Sequence, residues 1–236
     1  DLKEKVVAEL DGKKTERAVE YLEQMINRFP ESPDIAEYKL MLADLYLKTG
    51  SLDAAYKLYK NYNKMYPGEI KAEYAIYKAI LSRFYQTLKI SHQCDQSDTE
   101  KTLTLCHSYM DNPMYHEYRG DVKDIHYTCE RRLIDKEVYV FNSYLVQSRN
   151  RPDRLKSAQN RIKYLKERFL PNHKTLEPQL LFLECKLAQR QNDDQKLNDT
   201  VESLINDHNG SQFTRMAMGL ANKTFHGDDT SAQRFV

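Results

Sequence analysis

Tryptophan is absent from this chain, and glycine and proline are scarce, at seven residues each in 236. So few breakers exclude a collagen-like or low-complexity chain, and 40% hydrophobic residues suffice for a folded core. An excess of charge of either sign is missing too: 36 Lys and Arg face 35 Asp and Glu. No global field then draws the protein to DNA, RNA or an anionic membrane surface. No apolar run approaches the roughly 18 residues a transmembrane helix needs. The motifs of common enzymes are also missing: no P-loop, GxGxxG, HExxH or GxSxG occurs. The chain therefore reads as a non-enzymatic protein without a cofactor.

What is abundant is tyrosine, 17 residues. Tyrosine fills the space between helices and leaves its hydroxyl at the rim, which suits thin, two-layer helical packing. A repeat organises these residues. The segment Arg17-Ala18-Val19-Glu20-Tyr21-Leu22, running to Phe29-Pro30, recurs as Ala54-Ala55-Tyr56-Lys57-Leu58-Tyr59, running to Tyr66-Pro67. Ala18 to Ala55 and Pro30 to Pro67 are both 37 apart. A small alanine lets two helices approach closely, and the proline ends the second helix of each unit. Weaker copies lie at Lys101–Pro113 and Ser157–Pro171, and a degenerate last pair near Pro178–Arg190 and Asp194–Asn206 reads as a terminal repeat.

The boundary residues fit this division. Ser32-Pro33 reads as N-cap and first helical residue, Gly50-Ser51 as a stop and a start, Ser97 with Glu100 as a capping box, and Arg151-Pro152-Asp153 as a further start. Lys89 to Asp98 forms a longer polar loop. Tyr118 to about Arg149 is one continuous helix of about 45 Å. No stretch alternates apolar and polar residues for long enough to make a strand. The expected fold is all-α, a tetratricopeptide-repeat solenoid of about five helical hairpins, or about ten helices. It divides into an N-terminal half, 1–113, and a C-terminal half, 114–236. The tail from Asn209 to Val236 is expected to fray in part or to dock another subunit.

One stretch carries a resemblance. Tyr127-Thr128-Cys129-Glu130-Arg131-Arg132-Leu133-Ile134-Asp135-Lys136-Glu137-Val138-Tyr139-Val140, followed by Ser157-Ala158-Gln159-Asn160-Arg161, resembles the BamD family. These are lipoprotein subunits of the bacterial outer-membrane β-barrel assembly machinery. Arg132, Glu137, Val138, Phe141, Tyr144, Leu145, Ala158 and Arg161 stand where the long fourth-repeat helix of that family has comparable residues. The likeness runs from about residue 14 to 208. The chain departs from the pattern at Tyr59, where the family normally carries Phe, and at Lys60-Asn61-Tyr62-Asn63. The resemblance implies a periplasmic scaffold at the outer membrane, its only membrane attachment a lipid anchor on a cysteine ahead of Asp1. It further implies unfolded outer-membrane proteins, the central barrel-assembly protein and other assembly lipoproteins as partners. In the family, N-terminal repeats recognise the aromatic-ended C-terminal signal of the substrate, and the C-terminal half contacts the insertase's periplasmic domain. The alternative on the repeats alone is a cytoplasmic co-chaperone or secretion chaperone that binds peptide segments.

Repeat proteins of this type bind extended peptides on the first helices of their hairpins. Tyr38, Asp44, Tyr74, Tyr77 and Arg83 are the candidate substrate-peptide residues on that ground, against ordinary interhelical packing. Arg161, Arg168 and Arg190 are candidate anchors for an acidic partner, because arginine pairs bidentately and is enriched at interface hot spots; a solvated helix face is the plainer reading. Cys106 and Cys129 flank the same turn at similar distances. Antiparallel helices would bring them together, and an oxidising compartment would permit a disulfide; free buried thiols are the default. Cys106 and His107, neighbours on one helix, point about 100° apart and suit joint metal coordination poorly, so no metal site is expected.

Overall fold

A computed structural model describes residues 2–12 and 14–225. Among them every regular element is helical, as expected of an all-α, tetratricopeptide-like repeat fold. The chain packs as two compact units, Asp1–Leu133 and Ile134–Val236. The division lies inside the long helix, beyond the Pro113 turn at which the sequence suggested it.

The first unit holds α1 (Leu2–Asp11), α2 (Thr15–Arg28), α3 (Ile35–Thr49), α4 (Leu52–Met65), α5 (Ala72–Leu88), α6 (Ser97–Met110) and the start of α7 (Arg119–Gln147). The 37-residue repeat appears directly in its core. Ala18, Leu22 and Met25 on α2 are buried, and so are Ala55, Tyr59 and Tyr62 at the equivalent places on α4. Each triad is spaced by four and three residues, which puts it on one helix face. Both alanines are 0% exposed, so the neighbouring helix lies against the backbone there. Pro30 and Pro67 sit just past the C-caps Phe29 and Tyr66.

Helix ends follow the expected chemistry in part. Gly50 takes φ 81°, a left-handed conformation that closes α3. The next amide, Ser51, donates to Tyr46 O at 2.8 Å. Asn192 repeats the device with φ 56° at the end of α9 (Glu177–Gln191). Two expected caps are corrected. Pro33 does not open α3, which starts at Ile35; Ser32 instead accepts a hydrogen bond from the Asp34 amide in the preceding turn. Ser97 does not cap α6 but is its first residue, and Asp95 accepts from its amide and hydroxyl. At α6 a loop aspartate thus takes the free amide and moves the boundary, whereas at α3 Asp34 makes no side-chain cap bond and its carboxylate accepts from the Tyr38 hydroxyl.

Helix α7 is 29 residues long, or about 43 Å, close to the length read from the sequence. In the first unit its start is fixed by Glu73, in the first turn of α5. The Glu73 carboxylate accepts hydrogen bonds from the Tyr109 hydroxyl and from the amides of Glu117, at 2.6 Å, and Tyr118, at 3.5 Å. Farther along, Arg132 donates to the carbonyls of Thr87, at 2.7 Å, and Ile90, closing the end of α5.

The second unit contains the rest of α7, α8 (Arg154–Arg168), a 3-10 turn at Lys174–Leu176, α9, α10 (Asp194–His208) and α11 (Gln212–Phe225). Helix α11 was not foreseen, since its region was taken for a tail. Ala217 and Ala221 pack it against Cys185 and Ala188 of α9 and Leu197, Val201 and Leu204 of α10. Residues 226–236 of the supposed tail lie outside the described residues.

Burial pushes the Glu73 carboxyl up, but the hydrogen bonds from Tyr109, Glu117 and Tyr118 outweigh it and leave its pKa below the ordinary glutamate value. A depressed carboxyl contributes stability above its unfolded pKa and loses it as pH falls through its folded pKa. Glu73→Gln is expected to cost about 1 kcal/mol at neutral pH, a hydrogen-bond magnitude discounted for solvent access. Denaturant titrations from pH 7 down to 3 check this: the parent should lose its advantage below the glutamate range, and a constant difference would refute the clamp.

Candidate binding surfaces

In the first unit the candidate residues rest on a seam of aromatic side chains. Asp44, on α3, accepts hydrogen bonds from Tyr59 of α4 at 2.5 Å and Tyr74 of α5 at 2.6 Å, so one carboxylate ties three helices. The Tyr59 and Tyr74 rings meet edge-on at 6.4 Å, and Tyr74 meets Tyr118 at 6.3 Å. Tyr118 in turn lies flat on Tyr77, with centroids 4.3 Å apart and planes 2° from parallel. The Lys78 ammonium sits over both Tyr74 and Tyr77, at 5.3 and 5.6 Å from the ring centres. Burial first, then the Asp44 carboxylate, pushes the phenols of Tyr59 and Tyr74 far above the usual tyrosine range. Burial, followed by Glu117, raises Tyr118 to about 12. These hydroxyls stay protonated as donors.

The five candidates thus fall into separate places. Asp44 and Tyr74 touch, and Tyr77 joins them through Tyr118. Tyr38 stands apart: it is 8% exposed, packs with Leu42 and Leu45, and gives its hydroxyl to Asp34 at 3.0 Å. Arg83 lies farther along α5, its guanidinium stacked on Tyr56 at 4.6 Å and hydrogen-bonded to Gln86 at 3.0 Å. It also approaches Asp98 at 3.8 Å. All five have intramolecular partners. Tyr74 and Tyr77 remain half-buried, with Lys78 beside them.

In the second unit the three arginines meet different neighbours. Arg161 pairs with Glu137 at 3.1 Å, joining α8 to α7. Arg168 lies over Tyr164 and Phe169, at 5.7 and 4.9 Å, and donates to the Tyr164 hydroxyl. Arg190 donates to Ser148 Oγ at 3.1 Å and lines a cleft of about 290 Å³ with Asn142, Val146, Arg149, Lys186 and Leu220. No carboxylate lines this cleft. Lys186 is its unexpected member. Burial lowers its pKa, and its ammonium lies over Phe141 and Phe182 while donating to Asn142. The spacing of Phe182, Lys186 and Arg190 on one helix face was the available signal; nothing local showed that Asn142 and Leu220 would face them.

Cys106 and Cys129 are both fully buried free thiols. Burial, then the neighbouring Cys129, raises the Cys106 pKa to about 12. No bond joins them in this structure. Cys94 is exposed and Cys185 buried.

Comparison with known proteins adds one match. The model of the YfiO family, described as outer membrane lipoprotein, matches residues 1–204. No curated protein matches the chain.

The Asp44 clip makes an energetic claim that a double-mutant cycle tests. Asp44→Ala strands the fully buried Tyr59 hydroxyl and should cost about 2–3 kcal/mol, whereas Tyr59→Phe should cost about 1 kcal/mol. Denaturant unfolding of the double variant should show a cost well below the sum; strict additivity would mean that the two groups do not interact.

Proposed function

Because the chain belongs to the YfiO family of outer membrane lipoproteins, which is the BamD family that its sequence resembles, we propose that it is a non-enzymatic scaffold of outer-membrane β-barrel assembly. In this reading a lipid anchor holds it at the periplasmic face. The first unit receives the C-terminal signal of unfolded outer-membrane proteins, and the second docks the central barrel-assembly protein, with other assembly lipoproteins as neighbours. Outer-membrane association leaves the cytoplasmic co-chaperone alternative without ground.

The observation that carries the substrate role is the pairing of half-buried Tyr74 and Tyr77 with the Lys78 ammonium. A signal that ends in an aromatic residue offers a ring and a carboxylate. The ring suits the tyrosine faces, and the carboxylate suits the ammonium, an arrangement of the kind that captures chain termini. Tyr118 and Asp44 keep the two tyrosines in fixed orientations, which lowers the ordering cost of binding. The partner role rests on the cleft at Arg190. Three cations, Arg149, Lys186 and Arg190, line it beside the exposed Val146, which fits an acidic segment with an apolar anchor.

Fluorescence anisotropy with a labelled peptide ending in phenylalanine tests the first role. Tyr77→Ala and Lys78→Ala should each weaken binding about fivefold to tenfold, a loss of roughly 1 kcal/mol, and amidation of the peptide terminus should mimic Lys78→Ala. Equal binding by both variants, with helicity intact by circular dichroism, removes this surface. For the second role, Arg190→Glu should reduce recovery of the barrel-assembly protein from detergent-solubilised membranes, and an acidic-to-basic change in that partner should restore it. Undiminished recovery would place the docking surface elsewhere.

A further inference from the structure

His107 on α6 and His126 on α7 are unrelated in sequence spacing, yet the fold sets them face to face. Their Nε2 atoms are 3.3 Å apart, with ring centres at 4.7 Å and planes 82° from parallel. His126 Nδ1 lies 3.3 Å from Glu130 Oε2, one turn on along the same helix. The side chains of His126 and Glu130 are only 16% and 13% exposed, whereas His107 is exposed. A carboxylate at Nδ1 holds the proton on that nitrogen and turns the Nε2 lone pair outward, toward His107.

We propose that His107 and His126 form a two-histidine clip for a borderline divalent transition metal ion, zinc, nickel or copper(II), with Glu130 orienting His126. The separation is what such an ion needs. Two nitrogens bound at 2.0–2.1 Å in a tetrahedral site lie about 3.3 Å apart, and imidazole is a preferred ligand of all three metals. Without metal, the His107 Nε2–H donates to the His126 lone pair. Metal entry requires only that His107 carry its proton on Nδ1 instead, so no net proton need leave a neutral pair. The described residues contain no group of three or more His, Cys, Asp or Glu able to hold an ion, so water or a partner's side chain completes the coordination. Cys106 and Cys129, on the inner sides of the same two helices, are fully buried and take no part. Reading the sequence weighed His107 against its chain neighbour Cys106; the fold pairs it with a residue nineteen positions away.

The test uses tag-free protein carrying Cys94→Ser, which removes the exposed thiol as a competing ligand. Zinc, nickel and copper(II) chlorides are titrated calorimetrically, and thermal unfolding is followed at each metal concentration. One saturable site is expected, with Tm rising with metal concentration because the ion joins α6 to α7. His107→Asn and His126→Ala should each weaken binding at least tenfold and abolish the Tm rise. Glu130→Gln should weaken it by about tenfold without abolishing it, and His92→Ala should bind like the parent. His107 is exposed, so His107→Asn decides the matter even if His126→Ala perturbs the helix. Parent-like binding by His107→Asn, or no saturable uptake by the Cys94→Ser protein, overturns the proposal.

Discussion

Phenol-to-carboxylate hydrogen bonds are the constraint on which the N-terminal unit depends. Tyr46 of α3 meets Glu23 of α2, Tyr59 and Tyr74 of α4 and α5 meet Asp44 of α3, and Tyr109 of α6 meets Glu73 of α5. Helices α2 to α6 are thereby linked by directional contacts as well as by packed apolar area, with α4 and α5 joined through the shared Asp44 of α3. A layer two helices thick has no deep interior, so apolar burial alone specifies the offset between successive helices only loosely. A phenol suits this setting because its ring fills the interhelical gap while its hydroxyl reaches an acid at the rim. The same contacts fix the orientations of Tyr74 and Tyr118, and through Tyr118 that of Tyr77. Architecture and candidate surface are built from one set of side chains.

Much of the fold was legible because the repeat is written in residues whose roles are local. Ala18 and Ala55, Pro30 and Pro67, and Gly50 each act through backbone geometry or helix contact within their own unit, so spacing alone revealed them. The Ser97 cap was misjudged because Asp95 takes the same free amide, and the Ser32 cap because Ser32 accepts from the Asp34 amide in the turn before the helix; both outcomes depend on loop geometry. Helix α11 was overlooked because it lies in the stretch taken for a tail, and its fully buried positions, Ala217, Ala221 and Thr214, carry small side chains in place of the large apolar ones that mark the other helices. The candidate surfaces were less legible. Tyr38 and Tyr77 look alike in sequence, yet one belongs to the core and the other lies half open against Tyr118. Glu73, Lys186 and the His107–His126 pair depend on contacts between residues far apart in the chain, which no periodicity encodes.

Aromatic side chains hold charge in both units. In the first, Glu23, Asp44 and Glu73 accept from tyrosines, while Lys78 and Arg83 lie over tyrosine rings. In the second, cations lie on aromatic faces: Arg168 on Tyr164 and Phe169, Arg154 on Tyr144, and Lys186 on Phe141 and Phe182. A cation held against rings is partly stripped of water, so an incoming carboxylate displaces less solvent to reach it. Arg161, by contrast, already has Glu137, and recruiting it would require breaking an existing pair.

The family match stops at residue 204, but the packing does not. Leu204 itself is 0% exposed, and Ala217 and Ala221 of α11 share its cluster. A fragment trimmed to the matched segment would carry a fresh apolar seam along α9 and α10, with Leu197 and Val201 turned toward solvent. Such a seam invites self-association, since repeat arrays stay soluble only when their last helix shields the stack. The boundary that serves for recognising relatives is therefore shorter than the boundary for expression, which must include α11.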